Sequence, residues 1–336
     1  MAKITYLQAA MQAIHEEMRA NPRVFSMGED IQSGVWGDFG LREFGAERVR
    51  NTPISEAGFI GAGIGAALTG MRPVIDTQCS AFLYSAMDQL VSQAAKSRYM
   101  FGGQSSIPLV IRATVMYGTG AAAHHSDRPW GLFAQVPGLT IIVPSTPYDV
   151  KGLLKSAIRG GNPVLCFEES LLKGRQGEVP EYDYTVPIGR AEVKRVGSDV
   201  SIVTLGASVH ASLAAAEKLE ADGISAEVVD LRTVVPFDDA LVLESVSKTG
   251  RVVVVDPAPA FCGLASEVSA MVAERAFERL KAPVVRLTAP QIPVPFSPAL
   301  ERLLYPTEVA IGNAVRSLCR ESRADSRPLR AAAGMR

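Results

Sequence analysis

Cysteine is sparse in this 336-residue chain: Cys79, Cys166, Cys262 and Cys319 stand far apart, with no CxxC pair. That spacing argues against a zinc site built on paired thiolates and against a disulfide framework, and it points to reduced thiols in a cytoplasmic setting. Long apolar runs are missing too. Nowhere do about 18 uncharged apolar residues follow one another, the length a bilayer-spanning helix requires. The opening segment MAKITYLQAAMQAIHEEM carries one Lys and is broken by His15, Glu16 and Glu17, so it lacks the apolar core of a secretory signal. Neither sign of charge dominates. Lys and Arg number 34 against 35 Asp and Glu, for a net charge of −1, which removes any electrostatic reason to expect nucleic acid or an anionic membrane as partner.

What is present is ordinary globular composition, with 47% hydrophobic and 21% charged residues. A chain of this length reads as roughly two domains and buries about three quarters of its unfolded surface, so it needs no metal or disulfide staple. The mean hydropathy of +0.14 is slightly apolar, which we read as a sign of large buried subunit contacts.

Along the chain, extended and helical patterns alternate. Residues 4–18 read as an amphipathic helix, 24–28 as a short strand ending in the acidic pair Glu29 and Asp30, and 33–40 as a glycine-rich loop. Residues 48–54 are extended. A helix of small residues follows Glu56, then a strand at 73–77, a helix at 82–100, strands at 108–113 and 140–144, a helix at 148–158 and a strand at 163–168. The stretch from Lys173 to Asp183 is rich in charge, Gly and Pro, and an edge strand is expected near 191–195. The second half repeats the rhythm, with four consecutive valines at 252–255 that demand helices on both sheet faces. Strands separated by helices of about ten residues or more imply βαβ units. The expected fold is α/β, with two doubly wound, mainly parallel-sheet domains: residues 1–172, a linker 173–198, and 199–320. A flexible tail is expected at 321–336.

Several residues invite a chemical reading. Gly61, Gly63 and Gly65 suggest a dinucleotide fingerprint, but the third glycine comes one position early and Glu56 precedes the run, so Gly58, Gly61, Gly63 and Gly65 are better read as letting the helix pack against another backbone. No P-loop and no GxSxG elbow occurs. Glu56 stands where an extended segment turns into a helix; it is either a dipole partner of that helix or a carboxyl with a raised pKa sharing a proton with a heterocyclic nitrogen. His124 and His125 lie on a Gly/Ala-rich loop fed by a strand, where α/β proteins place their sites. Proton transfer or substrate orientation suits that pair better than metal binding, since only Asp127 is near as a further ligand. His15 and His210 sit on helical faces and read as structural. Phe82, at a strand-to-helix turn, is either a core aromatic or a platform for a flat ring.

Together these motifs resemble a known family. The run from Asn51 to Pro73, NTPISEAGFIGAGIGAALTGMRP, looks like the thiamine-binding segment of the beta subunit of 2-oxo acid dehydrogenases, the group that serves pyruvate, branched-chain and acetoin dehydrogenases. His124-His-Ser126 is similar to that family's histidine loop, and 136–154 to its next strand and helix. Residues 230–238, 244–250 and 293–298 match its C-terminal domain. The resemblance spans about residues 4–318.

The resemblance implies thiamine diphosphate as cofactor and a transketolase-like arrangement, a pyrimidine-binding domain followed by a transketolase C-terminal-like domain. Glu56 then aligns with the glutamate that meets N1′ of the aminopyrimidine, and a protonated carboxyl there favours the imino tautomer that removes the thiazolium C2 proton. The resulting carbanion attacks a 2-oxo acid, and the thiazolium takes up the electrons after CO₂ leaves. Phe82 aligns with an aromatic beside the pyrimidine, Glu29 joins the cofactor-binding set, and His125 aligns with the histidine that binds the acid or passes protons. Leu109, Ala157, Gly160 and Asn162 align with a potassium loop that ligates mostly through backbone carbonyls.

The diphosphate of this cofactor is usually anchored by Mg²⁺ through a Gly-Asp-Gly segment, and none occurs here; Gly37-Asp38 continues with Phe39. This chain therefore holds half a site, and a separate alpha subunit is expected to bring the Mg²⁺ half in an α₂β₂ heterotetramer. Acyl transfer to lipoamide on a lipoyl acyltransferase core follows from the same resemblance. Asp127 and the Asp256-Pro257 pair depart from the family's usual residues. They motivate a second reading, a stand-alone two-component thiamine enzyme that uses the carbanion for carbon–carbon bond formation or another acceptor. A non-catalytic scaffold subunit is the third reading.

Overall fold

Apolar runs without polar alternation need cover on both faces, and the chain supplies it with helices flanking two sheets. The structure, a computed structural model, describes residues 1–321. The larger sheet has seven strands in the spatial order Thr233–Val235, Thr140–Ile142, Val164–Glu169, Val110–Val115, Arg72–Cys79, Val24–Gly28 and Val49–Asn51. Every neighbouring pair is parallel except the first, which is antiparallel. The second sheet runs Val285–Ala289, Val252–Pro259, Val200–Thr204, Ala226–Asp230 and Glu192–Arg195, again parallel except for its last, edge pair. The fold is thus α/β with mainly parallel sheets. The valines at 252–255 are all buried.

The two halves are tied together. Strand Thr233–Val235 belongs by sequence to the second half yet pairs with Thr140–Ile142 of the first sheet. Beside it, buried Asp149 meets Arg232 and Lys194, while Ser145 donates to Asp230. One apolar cluster runs from Phe25 through Trp130 and Phe167 to Val254 and Val272. The domain limits 1–172 and 199–320 stay as our proposal, and these contacts cross them.

Three sequence expectations need correction. The glycine-rich stretch 33–40 is not a loop: helix Gly34–Phe44 occupies it. Glycine's poor helix propensity is overridden by packing, because a Cβ on Gly40 would lie 3.2 Å from the His15 ring and Phe39 stacks on that ring at 5.2 Å. The single helix expected at 82–100 is three short pieces, Ser80–Ala86 in 3₁₀ form, Gln89–Ala94 in π form and Ser97–Met100. The first helix begins at Tyr6, because Ala2–Thr5 instead pairs antiparallel with Gln176–Val179. Thr5 and Gln8 close a reciprocal capping box there. Helix Tyr6–Ala20 lies against Pro147–Arg159, with Glu16 paired to Lys151 and Lys155. Helix Glu308–Glu321 closes the described chain, and the tail expected beyond it lies outside the described residues.

Candidate active site

The carboxyl ends of parallel strands are where α/β folds leave room for ligands. Strands Val110–Val115, Arg72–Cys79, Val24–Gly28 and Val49–Asn51 are four consecutive neighbours in the sheet. The segments leaving their carboxyl ends carry His125, Phe82, Glu29 and Glu56 respectively. Four candidates scattered over about a hundred residues therefore emerge along one edge.

Glu56 opens helix Glu56–Leu68, where the dipole favours a carboxylate, and it is 9% exposed. Among the described residues its hydrogen-bond partner is the Ser85 hydroxyl, 3.2 Å from Oε2. That hydroxyl is also 2.8 Å from the Phe82 carbonyl. One hydroxyl proton serves one acceptor at a time. When Ser85 donates to the Phe82 carbonyl, Glu56 Oε2 loses this donor, and Oε1 has no hydrogen-bond partner among the described residues. Partial burial, and then the neighbouring Asp30 and Glu56 charges, raise the pKa of Glu29 from its ordinary value. Its backbone carbonyl accepts from the Gln78 amide at 2.9 Å.

Phe82 and His125 meet edge to face, with ring centroids 5.4 Å apart. His125 Nδ1 is 3.1 Å from the Ala121 carbonyl. A carbonyl only accepts, so Nδ1 donates in this contact, and Nε2 is the ring nitrogen left to meet a ligand. The loop between Val115 and His125 is held in uncommon backbone: Gly118 and Gly120 have φ of +84° and +70°, and Ala122 has φ 60°, ψ −170°. That last region is essentially reserved for glycine and costs on the order of 1–3 kcal/mol. Phe82, His125, Tyr84 and Asp127 face Pro259, Gln291 and Ile292 of the second half across a cleft of about 790 Å³. His124 also lines it.

The departures find partners. Asp127 accepts from the Tyr84 hydroxyl at 3.0 Å. Asp256, fully buried, accepts from Ala258 N–H, Ala265 N–H and the Trp130 indole. It is a tie between the halves, away from the lining of the cleft. Sequence reasoning passed over Arg128, which lies over the Tyr117 ring at 3.9 Å and pairs with buried Glu169 at 3.1 Å. It also passed over Ser85, whose spacing from Glu56 carries no local signal. Of the four glycines read as packing sites, Gly63 fits best: a Cβ there would stand 2.2 Å from Ile75 Cδ1, a side chain and not a backbone, while Gly65 faces open space.

Leu109 and Asn162 precede the central strands Val110–Val115 and Val164–Glu169, and Ala157 and Gly160 lie at the end of helix Pro147–Arg159, at the amino ends of those strands. Their carbonyls are already engaged in part: Leu109 O accepts from Val164 N–H, Ala157 O from Gly160 N–H, and Gly160 O from Arg72 at 2.6 Å. The Asn162 side chain accepts from Arg98 at 2.9 Å. His15 is buried, and His210 Nε2 donates to the Ser145 carbonyl at 2.8 Å, as expected of structural histidines. Among the described residues no group of three His, Cys, Asp or Glu converges as a metal site, and no helix is long and apolar enough to cross a membrane.

Comparison with known proteins bears on this geometry. The transketolase pyrimidine binding domain family matches residues 2–174, and the transketolase C-terminal domain family matches 189–311. The beta subunit of acetoin:2,6-dichlorophenolindophenol oxidoreductase from Cupriavidus necator is 47% identical over 94% of this chain and 97% of its own length. The 2-oxoisovalerate dehydrogenase beta subunit of Bacillus subtilis is 45% identical over 95% and 99%. The beta subunit of the pyruvate dehydrogenase E1 component of the same organism is 46% identical over 89% and 94%. A solved split-gene transketolase, described as an inactive beta4 tetramer, superposes with a TM-score of 0.78 at 25% identity over 94% of this chain and 98% of that one. On these matches the chain belongs to the transketolase-related beta subunits that include those of pyruvate, branched-chain 2-oxo acid and acetoin dehydrogenases.

Proposed function

We propose that this chain is the catalytic beta subunit of a two-component, thiamine diphosphate-dependent enzyme that decarboxylates a 2-oxo acid and passes the acyl group to lipoamide. The observation that supports it most is the row of Glu29, Glu56, Phe82 and His125 on four neighbouring strand ends. The residues suit the cofactor's aminopyrimidine: a mostly buried carboxylate with one oxygen uncommitted, beside an aromatic ring whose carbonyl shares the same serine. When bound, thiamine diphosphate supplies the nucleophilic carbon and the electron sink. Glu56 holds or releases the proton at the pyrimidine nitrogen, and Phe82 flanks the ring. His125 presents Nε2 to the substrate.

An alpha subunit completes the site with Mg²⁺ and the diphosphate anchor, and we propose an α₂β₂ heterotetramer that docks on a lipoyl acyltransferase core. We take the cytoplasm as its compartment, a reading supported by scattered cysteines with no CxxC pair. A potassium ion at Leu109, Ala157, Gly160 and Asn162 would use the second lone pairs of carbonyls that already accept one hydrogen bond. A second substrate class is favoured by one feature of the cleft. The charged side chain among its lining residues is Asp127, an anion, which suits an uncharged acyloin better than a 2-oxo acid carboxylate. The Cupriavidus relative is named for acetoin.

The test is reconstitution with the alpha subunit, Mg²⁺ and thiamine diphosphate. Pyruvate, branched-chain 2-oxo acids and acetoin are offered in turn, with 2,6-dichlorophenolindophenol as electron acceptor. Glu56→Gln should assemble normally and lose turnover by more than about 100-fold, in line with loss of a positioned acid–base group. Full turnover in that variant, or in the beta chain alone, refutes the reading.

A further inference from the structure

Glu301 ends the short helix Pro298–Glu301 in the second half of the chain and is 1% exposed. A buried carboxylate needs donors, and among the described residues no Lys or Arg pairs with it. Its donors are main-chain amides of the histidine loop: Gly118 N–H reaches Oε1 at 2.7 Å and Gly120 N–H reaches Oε2 at 3.1 Å. The Tyr117 hydroxyl donates to the Glu301 backbone carbonyl. One residue of the second half therefore grips three sites, at 117, 118 and 120, just before the strained Ala122.

The far end of the loop is tied by Met116 N–H to the His125 carbonyl and by His125 N–H to the Ala122 carbonyl. Between these anchors lies Ala121, whose carbonyl orders the imidazole through Nδ1. Gly118 and Gly120 take positive φ freely, whereas Ala122 holds it only at a cost that its anchors must offset. Releasing the carboxylate end lets Ala122 relax, moves the Ala121 carbonyl, and frees the ring to turn or to exchange tautomer.

We propose that Glu301 is a positioning residue for His125, acting from the second half of the chain through the loop Tyr117–Ala122. The proposal rests on the reading of His125 as a substrate-facing group given above. The carboxylate is specifically required: it offers an acceptor to each of two N–H groups, whereas an amide offers one oxygen and turns its own NH₂ against the other donor.

The experiment uses the enzyme assembled with its alpha subunit and loaded with thiamine diphosphate and Mg²⁺. Glu301→Gln, Glu301→Asp, His125→Asn and the Glu301→Gln/His125→Asn double variant are compared for kcat, KM, the pH profile of kcat/KM, and cofactor affinity. Glu301→Gln should lose about 10- to 100-fold in kcat, the scale of a displacement near 1 Å at a reacting group. Cofactor affinity should stay within about twofold, and the pH limb that vanishes in His125→Asn should move. Glu301→Asp, with both acceptors on a shorter arm, should recover part of the loss. In the double variant Glu301→Gln should add little to His125→Asn, because both act on one group. Unchanged kcat and pH profile in Glu301→Gln, or losses that multiply in the double variant, overturn the proposal. So does failure of both Glu301 variants to assemble, which would make the residue purely structural. A fully active His125→Asn overturns the underlying reading instead, and is distinguished by that single variant.

Discussion

Asp256 allows a pH prediction to be worked from the structure. The side chain is fully buried in strand Val252–Pro259 and accepts three N–H bonds, from Ala258 at 3.0 Å, Ala265 at 3.3 Å and the Trp130 indole at 3.3 Å. Burial outweighs these donors and the distant Arg128 charge, and pushes its pKa from 3.8 up to about 6. A carboxyl whose folded pKa is raised holds a proton that the unfolded chain has already lost. Between about pH 4 and 6, stability therefore falls as pH rises, and it levels off above 6. A displacement of about two units, at about 1.4 kcal/mol each, amounts to about 3 kcal/mol, of which about 2 falls between pH 4.5 and 7.5. With an unfolding entropy of about 0.7 kcal/mol/K for a chain this long, that is about 3 °C in Tm. Asp256→Asn removes the titration and adds a constant penalty, because its NH₂ opposes one of the three donors. The assay is thermal unfolding of both proteins at constant ionic strength from pH 4.5 to 7.5. The wild-type Tm minus the variant Tm should decrease by about 3 °C with a bend near pH 6. Asp230, raised to about 7 by burial and Asp149, is present in both proteins and cancels. A constant difference, or one that grows with pH, refutes the reasoning.

Arg128→Met should cost about 3–5 kcal/mol by urea denaturation, because it strands the Glu169 carboxylate, whose side chain is 2% exposed, without its cation; a cost below about 1 kcal/mol, the range of an exposed pair, refutes this. Gly118→Ala should lower stability by about 1–3 kcal/mol and reduce turnover, since the residue sits at φ +84° and its Cβ would lie 2.6 Å from Leu171 Cδ2. Adding Leu171→Ala should relieve the clash and leave the backbone strain, so stability returns only in part; full recovery would show that strain at 118 is negligible.

Much of the site was legible in one dimension. Glu56, Phe82 and His125 each lie in the turn or loop that leaves an expected strand or extended segment, so their place near strand ends could be read from local pattern. Mainly parallel sheets followed from the β-branched runs and the spacing of the helices between them. Helix Gly34–Phe44 was not legible, because its glycines read locally as loop, and only tertiary contact, of Gly40 with His15 and of Gly37 with the backbone of Ile31 and Gln32, makes a missing side chain useful. Strand Thr233–Val235 was equally hidden, since nothing in its three residues names a partner some ninety positions earlier. The sequence determined which chemical groups this protein owns and on which turns they stand, because hydrophobic period and turn residues act over a few positions. The tertiary structure alone decided which of them meet: Ser85 with Glu56, Arg128 with Glu169, Trp130 with Asp256 and Glu301 with the histidine loop. Those contacts join residues 29 to 183 positions apart, and only sheet order and the packing of the two halves bring such distant positions within hydrogen-bond range.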